Sequence, residues 1–252
     1  MSPPLGGLGC GLMLSSFDAS SPPADPVVAW DAAYDTDGGH YTTSSGHVDQ
    51  WTDQSGNARH LTPDIAADGP VDDASTPNAT TAFRFDGTSG YLQGSAASNF
   101  IAAGALTIFA VLKVHAAPTN NTDGWNNRSV VTDGQPGGAF FELAVKNATH
   151  IYFGNYDGSD DQADTTIDGN WHVVEMRHES GNIYLRIDGG TEATVASGNT
   201  GDLTGLFTVA YNAFNNTYAQ VDMAALRCKK TALNLTTRDE VVAYLKYKYG
   251  IS

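Results

Sequence analysis

The chain has 252 residues, 41% hydrophobic and 10% aromatic, enough to bury a sizeable core and to exclude a disordered chain. Only 16% are charged, and 28 acidic residues against 13 basic ones leave a net charge of −15, a surface that repels phosphate backbones and excludes nucleic acid as a partner. No apolar run reaches the roughly 18 residues that a membrane span needs.

Residues 1–26 read as an extended arm and linker. "MSPPLGGLGCGLMLSSF" carries Leu5, Leu8, Cys10, Leu12, Leu14 and Phe17 among glycines that deny it a helix of its own, and "SSPPADP" follows as a Pro-rich spacer. The stretch has no basic n-region and is broken by Pro and Gly, which argues against a secretion signal. Apolar side chains at this density are rarely left in water without a binding role, so the arm is expected to order against a neighbouring subunit. Cys10 and Cys228 fit no CxxC or metal spacing. They pair across almost the whole chain, link neighbouring subunits, or stay as thiols, and the sequence leaves the three open.

The folded domain is expected over 27–252, from "VVAWDA" onward. "AFRFDG" alternates Phe83 and Phe85 against Arg84 and closes on an Asp86-Gly87 turn. Leu106 to Val114 is a nearly continuous apolar run, the pattern of a central strand. "WHVVEMRHE" places Trp171, Val173, Glu175 and Arg177 on one face and His172, Val174, Met176 and His178 on the other, with the histidines read as packing or rim residues. "NIYLRIDGG" turns Ile183, Leu185 and Ile187 inward and Tyr184 and Arg186 outward. "ESGN" and Asp188-Gly189 are tight turns. "LFTVAYNA" and "YAQVDMAALRC" supply further strands, and many short strands without helices between them mean an antiparallel β-sandwich or barrel.

Two polar stretches, from His115 and from Asn155 through Asn170, read as long loops, and such loops are often functional. The first holds Trp125, Asn126 and Asn127; "YNAFNNTY" adds Tyr211, Phe214 and Tyr218 as a second set of aromatic and amide groups suited to a glycan or a partner protein. The acidic loops offer calcium ligands in Asp157, Asp160, Asp161 and Asp164 and in Asp35 and Asp37, although neither set matches an EF-hand. The chain ends on a helix expected over 238–249, with Thr237 and Glu240 as a capping box, an apolar stripe of Val241, Val242, Leu245 and Tyr249, and Gly250 as its stop.

In their order, "VVAWDA", "VDQWTDQSGNARHLT", "FRFDGTSGYL", "WHVVEMRHESGNIYLRIDGG" and "AALRCKKTALNLTTRDEVVAYLKYKYGI" resemble the concanavalin A-like jelly rolls, in particular laminin-G-like modules of phage and bacterial surface or virion proteins. The resemblance covers about residues 27–252. It implies an all-β antiparallel sandwich with one C-terminal α-helix behind an extended N-terminal arm. It is similar in its opening to phage structural proteins, which implies a non-catalytic capsid or tail decoration protein on the virion surface. Its partners would be other virion subunits or copies of itself, and host-surface glycan. The alternatives are a secreted or cell-surface lectin-like carbohydrate-binding module and a glycosidase with an unrecognised site. Against the last, Glu175 and Glu179 do not form the E-x-D-x-x-E face of the glucanases of this superfold.

Deleting residues 1–20 is expected to leave the thermal melt of the domain unchanged while abolishing particle association or oligomerisation. Assembly of the truncated chain at full occupancy would make the arm a dispensable leader.

Overall fold

A computed structural model describes residues 32–36, 40–97, 100, 104–115, 128–133, 140–147, 149–156, 160–198, 205–213 and 215–252. The arm residues Leu5, Leu8, Cys10, Leu12, Leu14 and Phe17 lie outside them, as do residues 27–31 at the expected start of the domain. In chain order the strands are β1 (Ala32–Asp35), β2 (Tyr41–Ser44), β3 (His47–Trp51), β4 (Val71–Ser75), β5 (Thr81–Asp86), β6 (Leu92–Ala96), β7 (Ala105–Val114), β8 (Arg128–Thr132) and β9 (Phe140–Asn147). They continue with β10 (His150–Tyr156), β11 (Asp160–Thr166), β12 (Trp171–Glu179), β13 (Asn182–Ile187), β14 (Ala193–Ala196), β15 (Leu206–Val209), β16 (Tyr211–Asn212), β17 (Thr217–Tyr218) and β18 (Gln220–Lys229), and the chain closes on α1 (Leu235–Tyr249).

Among the described residues the strands form a large sheet ordered β14-β13-β12-β7-β18-β5-β4-β3-β2 with β1 beside β18, a six-stranded sheet ordered β11-β10-β9-β8-β15-β6, and the hairpin β16-β17. Every pairing is antiparallel. This is the all-β sandwich with a single C-terminal helix that the strand pattern and the resemblance both implied.

The apolar run of β7 has a physical reason. Its residues alternate between two separate cores: Leu106, Ile108, Ala110, Leu112 and Val114 face the smaller sheet, whereas Phe109 and Val111 face α1. A strand covered on both faces cannot show a polar stripe, so the period-2 signal vanishes there. Its neighbour β12 divides in the same way, with Val174 and Met176 between the sheets and Trp171 and Val173 under the helix. The Ser180-Gly181 and Asp188-Gly189 turns both hold their two residues at positive φ, the conformation that tight two-residue hairpins require.

Three expectations are corrected. The helix begins three residues early, because Asn234 is its N-cap and its side chain accepts from the Thr237 backbone N–H at 3.0 Å. Thr237 is therefore buried within the first turn instead of opening a capping box with Glu240. The helix end is as expected: Gly250 sits at φ 71°, and Asn78 donates to the Tyr247 and Lys248 carbonyls at 3.0 and 3.1 Å. Second, the polar stretch from Asn155 is not one loop, since Asp160–Thr166 is the edge strand β11, paired along its length with β10. Buried Ala163 anchors it, and Lys146 reaches across β10 to Asp164 at 2.6 Å. Its acidic composition hid it from propensity, and charge on an edge discourages pairing with another sheet. Third, Arg186 does point away from the inter-sheet core, but α1 covers it and it is only 4% exposed.

That covered face is fastened by ions. Glu175 is held by Arg186 at 2.5 Å on one oxygen and by Arg238 of α1 at 2.6 Å on the other. Arg238 also reaches Glu192 at 2.5 Å, and Arg186 reaches Asp239 at 2.7 Å. At the other end Asp35 receives Arg227 at 2.7 Å, Lys248 at 3.1 Å and the Tyr249 hydroxyl at 3.0 Å. Burial alone would raise the Asp35 carboxyl, but Arg227, Lys248 and Tyr249 outweigh it and hold the group below the usual carboxylate range. Asp35 is thus a buried fastening and not a loop ligand for calcium.

Leu245 is fully buried between α1 and the sheet. Leu245→Ala is expected to lower stability by about 2–5 kcal/mol in urea denaturation; a loss of a few tenths would mean that the helix does not dock. The Asp35 group stabilises the fold above the unfolded carboxylate value of about 3.9, and its share is lost as pH falls through the lower folded value. The stability gap between Asp35→Asn and the parent chain should therefore be large at neutral pH and shrink steadily in acid. A gap independent of pH would show that the Asp35 charge is not what fastens the helix.

Candidate functional site

The smaller sheet turns an apolar face inward and a polar face outward. Phe141, Leu143 and Val145 of β9 and Ile151 and Phe153 of β10 enter the inter-sheet core, leaving Glu142 and Tyr152 on the other side. Glu142, 7% exposed, accepts from Ser129 at 2.5 Å, from the Asn212 amide at 3.0 Å and from the Tyr152 hydroxyl. Gly154 leaves room for this arrangement, since a Cβ there would stand 2.8 Å from the Tyr152 ring. Asn212 also donates to Ser129 at 2.9 Å. The cluster is a satisfied buried network, and its consequence is to lock the short β16-β17 hairpin onto the sheet.

Further bonds aim that hairpin. Ala210 takes a positive φ of 65° between β15 and β16, and Thr208 donates to the Tyr211 carbonyl at 2.8 Å. Arg128 bridges the Tyr218 and Gly87 carbonyls, each at 3.2 Å, tying β17 to the turn after β5. In that turn the Asp86 carboxylate collects the backbone N–H groups of Thr88, Ser89 and Gly90 at 2.7, 3.0 and 3.4 Å. Burial opposes its ionisation, but these donors and the Thr88 hydroxyl hold it below its ordinary range. The turn delivers Tyr91.

Three tyrosines meet as a result. Tyr91 and Tyr211 stack with centroids 4.5 Å apart, Tyr211 and Tyr218 lie at 4.9 Å, and Tyr91 and Tyr218 at 6.1 Å. All three are partly exposed. Burial first, then the charge of Asp64, pushes the Tyr91 hydroxyl up to about 12. Burial and the neighbouring tyrosine likewise raise Tyr218, with Asp68 and Asp86 adding to the effect. These two hydroxyls stay neutral and able to donate over the physiological range. Around them stand acceptors: Asp64, which also takes Gln93 at 3.3 Å, and Asn216, which takes the Tyr211 hydroxyl at 3.3 Å. The surface offers flat apolar ring faces edged by neutral hydroxyls, amides and carboxylates.

Of the predicted contact residues, the structure brings Tyr211 and Tyr218 together; Phe214, Trp125, Asn126 and Asn127 lie outside the described residues. Tyr91 was missed. Its only signal was its position behind the Gly-rich turn "DGTSG", which read as a strand boundary. For calcium, Asp157 lies outside the described residues, while Asp160 and Asp161 sit in β11 opposite Tyr156 and Asn155 and not in a loop. Among the described residues no group of three or more His, Cys, Asp or Glu side chains could hold a metal ion. Cys228 is fully buried in β18, and Cys10 lies outside the described residues.

No family model matches the chain, and no curated protein matches it. Solved structures do. Domain 4 of an extracellular arabinanase from Geobacillus stearothermophilus, in complex with arabinotriose, aligns at a TM-score of 0.62 and 11% identity over 84% of this chain and 98% of that one. Trypanosoma rangeli sialidase in complex with the inhibitor DANA aligns at 0.55 and 15% identity, over 84% of this chain and 32% of that one. The receptor-binding domain of botulinum neurotoxin type G aligns at 0.55 and 11% identity, over 85% and 51%. The chain thus spans about a third of the sialidase and half of the neurotoxin domain. At these identities the likeness is one of fold, and it places the chain among the β-sandwiches.

Proposed function

We propose that this chain is a non-catalytic carbohydrate-binding module that holds a neutral glycan against Tyr91, Tyr211 and Tyr218. The observation that carries the reading is the tyrosine group itself, three rings fixed by backbone and side-chain bonds yet left partly open to solvent. The C–H faces of sugar rings pack on aromatic faces, and sugar hydroxyls both donate and accept, which suits hydroxyls and carboxylates placed together at the rim. The surrounding Asp64, Asp68 and Asp86 and the net charge of −15 disfavour acidic sugars. The arabinotriose complex of the arabinanase domain, which shares the fold over nearly its whole length, supports the same class of ligand.

The non-catalytic part rests on the carboxylates. Glu175 has both oxygens occupied by Arg186 and Arg238, and Glu179 is paired with Arg177. Neither is disposed to act as a general acid or nucleophile toward a sugar. A laminin-G-like module of this kind would serve on a virion or cell surface by meeting host glycans. The virion setting rests on the arm at 1–26, outside the described residues.

Glycan-array screening with the full chain should return neutral oligosaccharides, and Tyr211→Ala with Tyr218→Ala should weaken their binding by about tenfold or more, some 1.4 kcal/mol, with the melting temperature little changed. Unaltered affinity in the double variant removes the platform. Release of reducing sugar from a bound polysaccharide would instead establish a glycosidase.

A further inference from the structure

A second polar hollow lies at one end of the large sheet, on the face that carries α1. It is a cavity of about 390 Å³ beside the turn that ends the helix, and Lys113, Asp168, Trp171, His172 and Asp188 line it. That volume falls at the small end of the ~300–1,000 Å³ usual for small-molecule pockets. Lys113 and Trp171 stand directly opposite one another on β7 and β12.

Two of these groups carry a donor with no partner among the described residues. Among the described residues the Lys113 ammonium has no hydrogen-bond or ion-pair partner, although Arg84, Lys146, Arg177, Arg186, Arg227, Arg238 and Lys248 are all paired with carboxylates. The indole N–H of Trp171 is also without a partner among them, with the residue 9% exposed and packed under the helix. That N–H is not closed off from solvent, so on an otherwise buried ring that lines the hollow it is a donor open to a ligand.

The acceptors are held ready. His172 lies between two carboxylates, with Nδ1 2.7 Å from Asp188 and Nε2 2.9 Å from Asp168. Asp188 also takes the Val173 backbone N–H at 2.8 Å, and Asp168 takes the Asn170 amide at 2.9 Å. Both ring nitrogens can donate at once only in the imidazolium. The hydrogen bond to Asp188 raises the His172 pKa, against the opposing effect of burial and with the help of Asp168. Two carboxylates are then balanced by His172 and Lys113. A hollow whose lining side chains balance in charge, with an ammonium and an indole N–H open to a ligand and two anchored carboxylates, is ill matched to a phosphate or to a metal cation. It matches a neutral molecule whose neighbouring hydroxyls donate to carboxylates and accept from an ammonium.

We infer that this cavity is a second binding site, separate from the tyrosine group, for a single neutral sugar unit. The inference rests on the glycan-binding reading for the class of ligand, while the site stands on its own geometry.

The test is a nitrogen–proton correlation spectrum of the full labelled chain titrated with methyl glycosides of neutral pentoses and hexoses at millimolar concentrations. At least one sugar is expected to shift the Trp171 indole N–H and the Ile251 amide saturably. Lys113→Met, which keeps the length of the side chain without its charge, should weaken that response by about tenfold, and Asp168→Asn should weaken it as well. Tyr211→Ala should leave it unchanged. If no sugar of the panel moves the Trp171 indole, or if the shifts persist undiminished in Lys113→Met, the second site is overturned, even where the oligosaccharide still binds in a Tyr211-dependent way. A saturable Trp171 response in a chain that shows no Tyr211-dependent binding keeps this site and removes the tyrosine platform instead.

Discussion

The structure depends on covering the outer face of the large sheet. Its central strands carry apolar side chains on both sides, and Phe109, Val111, Trp171 and Val173 would face water if α1 were absent. The helix supplies Val241, Val242, Leu245 and Tyr249 to that face. Burial of apolar area supplies most of the attraction, at about 25 cal/mol per Å². It does not choose an orientation, because apolar contact has no direction. The ion pairs do. Glu175 fixes the start of the helix through Arg238, and Asp35 fixes its end through Lys248 and Tyr249. Breaking such a buried pair is disfavoured by about 3–5 kcal/mol, whereas its net worth against an apolar replacement is small, so its main effect is on register.

Fastening the helix in this way also decides what the acidic chain can do with its carboxylates. Those nearest to a glycosidase pattern are committed to arginines. Among those with spare acceptor capacity are the ones beside the tyrosine group and beside His172. The first are anchored by the Asp86 turn and the Gln93 contact, the second by His172 itself. Both places lie at the ends of strands, at the margin of the apolar cores, where side chains are fixed by the sheet and polar groups stay open to solvent. This is the division expected of a rigid scaffold that carries recognition on its connections.

The tyrosine group shows why a site of this type is assembled late in the structural hierarchy. Tyr91 follows β5, while Tyr211 and Tyr218 belong to a hairpin that follows β15. The two regions meet because β6 pairs with β15, Leu92 opposite Val209, and because Arg128 ties the Gly87 and Tyr218 carbonyls together. Behind the hairpin the Glu142 network holds Asn212. No local pattern records either bond, since each joins residues far apart in the chain.

What the sequence determined by itself was the set of elements whose signal is local. The alternation in "AFRFDG", the tight turns at Ser180-Gly181 and Asp188-Gly189, the apolar stripe and the Gly250 stop of the helix all arise within a few residues, and the architecture of an all-β sandwich with one terminal helix followed from them. Local competition explains the errors too. Asn234 and Thr237 both suit an N-cap, and the choice fell to the residue whose position lets Thr237 bury its side chain against the sheet. Strand β11 has poor propensity and exists because β10 offers it a complete ladder. Tertiary structure alone decided that Glu175 and Asp35 serve the helix, that Tyr91 joins Tyr211 and Tyr218, and that Lys113 and Trp171 share a cavity with His172. The physical reason is common to all of these: charge pairing, ring stacking and enclosure depend on distance in space, and the pattern along a chain encodes only distance in sequence.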